Sequence, residues 1–243
     1  MTRYRELVPP PELRRHVLCG WTLGPVSGDA PPVLPDGCMD IVWREGVGTI
    51  VAGPDTATVR PSRAPGSTVV GIRFRPGAAP PMLGVPASEL RDLRAPLAEV
   101  WGNAGRVEEA LEEARSAPAR LGVMAAELCR RLPRTARPDG LVAEAVRRLS
   151  GPTPERVSAI GDELGISERQ LRRRFHAAVG YGPKTLARVL RFRRLLGLAA
   201  RRPPAHGDLA RLALDAGYAD QAHMTAECTR LGGAPPARLL ATL

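Results

Sequence analysis

Apolar residues recur along this chain with two different periods. Between Val17 and Arg75 they come in short runs, HVLCGWTL, MDIVW, GTIVAG, TATVR and STVVGIRFR, with Gly and Pro between them. That is the pattern of short strands joined by turns. After Pro76 the period lengthens. ASELRDL, RVEEALEEAR and ARLGVMAAELCRRL space their apolar residues as helices do, with Val107, Leu111 and Ala114 on one stripe and Leu121, Met124, Leu128 and Leu132 on another. These helices either pack back on the β unit or form a dimer seam, and the pattern leaves both open.

RLPRTARPDG (Arg131 to Gly140) mixes Pro, Gly and charge and reads as a linker. Beyond it the helical period holds throughout. LVAEAVRRL, RVSAIGDELG, the stretch around LRRRF, PKTLARVLRFRRLLGLAA, DLARLALDAG and DQAHMTAECTRLGG follow one another.

Within this second half the sequence repeats. Val157, Ile160, Leu164 and Gly165 match Leu209, Leu212, Ala216 and Gly217, and after one added residue Leu171, Phe175, Gly180 and Pro183 match Met224, Cys228, Gly233 and Pro236. Each copy is a helix, a turn opening on Gly, and a second helix with its own cap, which is the layout of a helix-turn-helix. Ser167 with Gln170 predicts a capping box, and Asp220 is the corresponding cap in the second copy. Leu171, Phe175 and Ala178 turn inward at helical spacing. Arg169, Arg172, Arg173 and His176 then share the outer face.

Charge changes the picture here. The chain carries 35 Lys+Arg against 25 Asp+Glu; residues 1–136 hold 17 basic and 15 acidic, residues 137–243 hold 18 and 10. A near-neutral half joined to a basic half suggests that only the second meets a polyanion. A run of arginines is usually a solvated face, here with Glu168 pairing Arg172. On the second helix of a helix-turn-helix, however, like charges at this spacing repel unless a polyanion meets them, and a guanidinium fits both phosphate and the O6/N7 edge of guanine. The outward set of the second copy, Gln221, Ala222, His223, Thr225 and Ala226, is far less charged; Gln suits adenine, and Ala or a Thr methyl suits a thymine methyl.

On these residues Leu141 to Leu240 resembles the DNA-binding domain of the AraC/XylS family of bacterial transcription regulators, carried by LGISERQLRRRFHAAVG and AGYADQAHMTAECTRLGGAPPARL. The resemblance implies two helix-turn-helix units joined by a long helix, Lys184 to Ala200, with recognition helices in successive major-groove segments. It places base contacts on Arg169, Arg172 and Arg173 in the first unit and on Gln221, Ala222, His223 and Thr225 in the second. The family usually has phenylalanine where this chain has Met224 and Cys228, and a basic residue where it has Ala226. That departure predicts a thinner core under the second recognition helix. The first half resembles the sensor portion of a subgroup of these regulators, through LPDGCMDIVW, IRFRPGAAP and VWG. The resemblance implies double-stranded DNA and a small-molecule effector as partners, with a homodimer and contact with RNA polymerase as further expectations. It leaves activation against repression open.

The expected architecture is therefore α+β: a β-rich, barrel-like sensor and dimerisation domain with flanking helices (1–133), a linker (134–140) and an all-α double helix-turn-helix domain (141–243). For the sensor, the candidate ligand residues are Cys38, Trp43, Arg73 and Arg75. Arg73 and Arg75 alternate with Ile72 and Phe74, so both are expected on one side of a strand, solvated or lining a cavity for an acidic or polar effector. Trp21 and Trp43 read as core, or else as pocket lining. Cys38 sits between Asp36 and Asp40, which raise a thiol pKa unless Arg73 or Arg75 folds beside it. A packed cysteine is thus expected; the alternative is a thiol sensor, methyl acceptor or enzyme nucleophile. The four cysteines, Cys19, Cys38, Cys129 and Cys228, form no CxxC, so neither a disulfide framework nor a zinc site is expected. No catalytic residue, cofactor or metal is expected. No apolar run approaches a membrane span and the start lacks a signal-like apolar segment, so a cytoplasmic, non-enzymatic protein without a membrane partner is the expectation.

Overall fold

The structure, a computed structural model, describes residues 4–24, 31–62, 64–151, 153–201 and 209–241. Its first half is a six-stranded antiparallel sheet of β1 (Tyr4–Leu7), β2 (Val17–Leu23), β3 (Asp40–Arg44), β4 (Gly48–Ala52), β5 (Val69–Phe74) and β6 (Arg94–Pro96), in the order β1-β2-β5-β3-β4-β6. Strands β2 to β5 are the apolar runs of the sequence. The end strands β1 and β6 do not pair with each other among the described residues, so the sheet is open where barrel-like closure was expected.

Two further expectations are corrected. TATVR is no strand, since Val59 makes only an isolated bridge with Val33. ASELRDL shrinks to a 3-10 turn at Ala87–Glu89, after which Asp92 takes a positive φ of 60° and the chain turns into β6. The helical period of seven residues was too short to hold against that turn.

Four helices follow β5: α1 (Pro80–Leu83), α2 (Leu97–Val100), α3 (Gly105–Glu113) and α4 (Ala117–Arg131). Val107 and Leu111 of α3 and Leu121, Met124 and Leu128 of α4 share one core with Val17, Ile41, Trp43, Val51, Val70, Ile72 and Phe74. The stripes therefore pack back on the sheet rather than making a dimer seam. The other face of the sheet carries a smaller cluster of Cys19, Trp21, Val42 and Val69. Trp21 lies so close over β5 that a Cβ at Gly71 would stand 2.4 Å from its ring. Only glycine permits that approach.

The second half comprises α5 (Gly140–Ser150), α6 (Val157–Glu163), α7 (Glu168–Val179), α8 (Pro183–Arg201), α9 (Leu209–Ala216), α10 (Gln221–Gly232) and α11 (Pro236–Leu240). Leu171, Phe175, Leu186, Val189, Phe192, Leu195, Met224 and Cys228 belong to a single core that spans both copies of the repeat. Helix α8 runs through it and joins the two copies, where the resemblance implied a long helix at Lys184 to Ala200.

The two halves touch. Gly180, just after α7, lies against Pro54 and Ala87, while the Thr58 hydroxyl donates to the carbonyl of Leu231 in α10 at 2.7 Å. Val142 and Val179 flank Gly77. The sheet domain thus contacts the C-terminal ends of α7 and α10 together.

Candidate nucleic-acid interface

Helix α7 is set by its own sequence. Gly165 follows the end of α6 and opens the turn at φ 64°, and Gly217 holds the equivalent place before α10 at φ 90°, a backbone region that glycine enters freely. Ser167 accepts from the Gln170 amide while the Gln170 side chain accepts from the Ser167 amide, the reciprocal capping box. Leu171 and Phe175 are fully buried, which fixes the rotation of the helix about its axis.

That rotation leaves Arg169, Arg172 and Arg173 exposed and His176 half-buried, and with Gln170 they line one open depression. The electrostatics distinguish these arginines from their neighbours. Glu168 pairs with Lys184 at 3.2 Å, not with Arg172, and Arg174 reaches Asp139, the cap of α5, at 2.6 Å. Among the described residues none of Arg169, Arg172 and Arg173 forms an ion pair. Three cations without a carboxylate on one exposed helical face can meet phosphates or base edges without first breaking a bond.

Helix α10 is capped by Asp220, whose carboxylate accepts from the His223 amide at 2.7 Å. Gln221 and Ala222 are exposed; His223 is half-buried, edge-on to Tyr218 with ring centroids 5.3 Å apart. The Thr225 hydroxyl donates to the carbonyl of Gln221 at 2.8 Å, so its methyl is the group left for a base.

Sequence reasoning missed what anchors this helix. Glu227 is buried and its carboxylate accepts from the guanidiniums of Arg188 and of Arg191, the latter at 3.3 Å, both on α8. Arg191 also lies 4.9 Å over the Tyr218 ring. An acid in the inward stripe Met224, Glu227, Cys228, Leu231 was the signal that could have found it.

The four sensor candidates do not form one site. Trp43 is fully buried on the helix-covered face, where its indole N–H donates to Glu112 at 2.7 Å and Arg120 stacks 3.8 Å from its ring. Arg73 lies on the opposite face and holds Asp40 through two bonds of 3.1 Å each, with Asp36 at 3.3 Å. It is neither solvated nor free for a ligand. Arg75 follows the end of β5 and donates to the carbonyl of Arg14 at 2.7 Å. Cys38 is near Arg73, but burial above all, and then Asp36, pushes its thiol well above the ordinary value. Burial likewise pushes the Asp40 carboxyl up to about 6, against the pull of Arg73. All four cysteines are free thiols.

Comparison with known proteins matches residues 160–242 to a family model described as a helix-turn-helix domain, and residues 5–96 to one described as a domain of unknown function, DUF6597. A search of curated proteins found none that matches the chain. Among solved structures, ToxT from Vibrio cholerae O395 is similar at a TM-score of 0.46 and 11% identity, over 92% of this chain and 98% of that one. Unsaturated fatty acid bound wild-type ToxT from Vibrio cholerae strain SCE256 gives 0.42 and 9%, over 100% and 95%. Residues 160–242 are thus a helix-turn-helix domain, preceded by a DUF6597 domain at residues 5–96.

Proposed function

We propose that the chain is a sequence-specific DNA-binding transcription regulator whose first domain, 1–133, is joined by a linker, 134–140, to a reading domain, 141–243. The observation that carries this reading is the set Arg169, Arg172 and Arg173, exposed on the second helix of a helix-turn-helix and without carboxylate partners among the described residues. In this reading those arginines and His176 form the stronger reading head. Gln221, Ala222, His223 and Thr225 form the weaker one.

Control by a small molecule would act through the packing between the halves. The sheet domain holds the ends of both α7 and α10, so an effector that binds one packing better than another shifts how the two heads are presented. A thiol-based or enzymatic role for Cys38 is the weaker reading, because a half-buried thiol with a raised pKa carries little thiolate. RNA polymerase and a second copy of the chain are further partners within the same reading. The test is a footprint of the full chain on duplexes selected from a random pool. Two protected segments centred about 10 base pairs apart on one side of the duplex are expected. A single segment, or no selection at all, rejects the reading.

A further inference from the structure

Base reading uses the outer faces of α7 and α10, and it leaves the surface between them without a role. A cleft opens there, lined by Glu168 from the first turn of α7, Gly217 from the turn before α10, Arg191 and Arg194 from α8, and Arg156 and Lys184. Helix-turn-helix units enter the major groove by the N-terminal residues of the second helix. A cleft bounded by the start of α7 and by the turn before α10 lies between the two points of entry. Two heads in successive major-groove segments are separated by the minor groove and its sugar-phosphate chains, so the phosphodiester backbone passes this surface.

The chemistry of the cleft suits that passage. Arg156 is exposed and forms no ion pair among the described residues. Among the described residues Lys184 pairs only with Glu168, and both side chains are about three-quarters exposed (77% and 74%), so the pair is weak and exchangeable. Glu155, also on the lining, is occupied by Arg148 at 3.3 Å. Arg191 and Arg194 are held by protein partners, Glu227 and the carbonyl of Gly151 respectively, and the Nε of Arg191 is buried without a partner among the described residues. Their charges are fixed in place before any ligand arrives.

Resting on the DNA-binding reading above, we propose that this cleft is a phosphate-binding site for the DNA backbone between the two heads. Arg156 and Lys184 make the contacts, Lys184 exchanging Glu168 for phosphate. Arg191 and Arg194 add a fixed positive potential. The site carries no sequence information and sets the register of the heads on the duplex.

The test measures affinity of the full chain against salt concentration on two duplexes of about three helical turns, one of mixed sequence and one selected from a random pool. The double variant Arg156→Ala with Lys184→Ala should weaken binding to both duplexes alike. It should also lower the slope of log affinity against log salt by about 1.8, since each phosphate contact contributes roughly 0.9. Glu168→Gln, which frees Lys184, should tighten binding to the mixed-sequence duplex. Both substituted cations are exposed, and an unchanged unfolding midpoint verifies the fold. If slope and affinity stay as in the parent while Arg173→Ala still weakens binding to the selected duplex, the cleft is not a phosphate site but the reading of α7 stands. If Arg173→Ala is also silent, both fail. A changed base preference in the double variant overturns the proposal too, because backbone contacts cannot produce it.

Discussion

Gly180, which ends the first recognition helix, stands directly against Pro54 of the sheet domain: a Cβ at this position would lie 2.5 Å from the proline Cγ and 3.0 Å from the Ala87 carbonyl oxygen. Its φ of 92° adds a second demand that only glycine meets cheaply. Gly180→Ala should therefore strain the helix end and push the two halves apart at once. A loss of about 1–3 kcal/mol is expected, from the left-handed backbone and the overlap together. Urea unfolding of the full chain measures it. An unchanged midpoint would mean that the two halves do not hold this packing in solution.

The arginines of α7 divide by their partners, and the division predicts different phenotypes. Arg169→Ala and Arg173→Ala should each cost about 1–3 kcal/mol of operator affinity and relax preference at one or two adjacent base pairs, as for the loss of a bidentate base contact. Arg174→Ala should leave base preference intact, since its guanidinium is bound to Asp139 at 2.6 Å. Competition binding with single-base operator variants reads both effects. Equal behaviour of the three variants would remove the distinction on which the reading face is defined.

For Cys38 the expectation is inertness. Burial and Asp36 raise its thiol, so the thiolate fraction at neutral pH is below that of a free cysteine and grows only well above pH 9. Alkylation of the folded chain at pH 7 should be slow at Cys38, located by mass spectrometry, and should approach the free-thiol rate on unfolding. Fast stoichiometric labelling of the native chain at Cys38 would restore the thiol-sensor alternative.

Local rules carried most of the second half. The turns at Gly165 and Gly217, the Ser167 and Gln170 box and the Asp220 cap each act within a few residues, so the sequence displays them and the structure repeats them. The first half resisted where partners are distant. Nothing near Arg73 reveals that it closes on Asp36 and Asp40, more than thirty residues earlier, and alternation alone made it a ligand candidate. Edge strands β1 and β6, of four and three residues, are too short for a period of two to register. In ASELRDL the helical spacing was real but lost to the turn at Asp92. For the reading face, the chain showed which side of α7 is outward. It could not show that Glu168 turns to Lys184 and leaves Arg169, Arg172 and Arg173 without an ion pair among the described residues.

The second head offers the last prediction, because its expected thin core is braced in a way the repeat did not reveal. Met224 and Cys228 are both fully buried, and bulk arrives from other helices: a Cβ at Gly232 would meet Leu239 of α11 at 2.4 Å and Phe192 of α8 at 3.1 Å. The Glu227 carboxylate then ties α10 to Arg188 and Arg191. Two variants separate these supports. Gly232→Ala should destabilise the domain by about 1–3 kcal/mol through overpacking. Glu227→Ala leaves two guanidiniums facing a site they cannot leave entirely, at 28% exposure each, so a cost of about 3 kcal/mol is expected, the low end for a broken buried pair. Amide exchange should show where the loss falls. In the parent chain, Asp220 to Leu231 should exchange faster than Ser167 to Val179, since the smaller side chain at Cys228 contributes less buried area than Phe175. In Glu227→Ala the difference should widen, with α7 unaffected. If exchange accelerates equally in both helices, the two heads unfold as one unit through α8, and the independent weakness assigned to the second head is wrong.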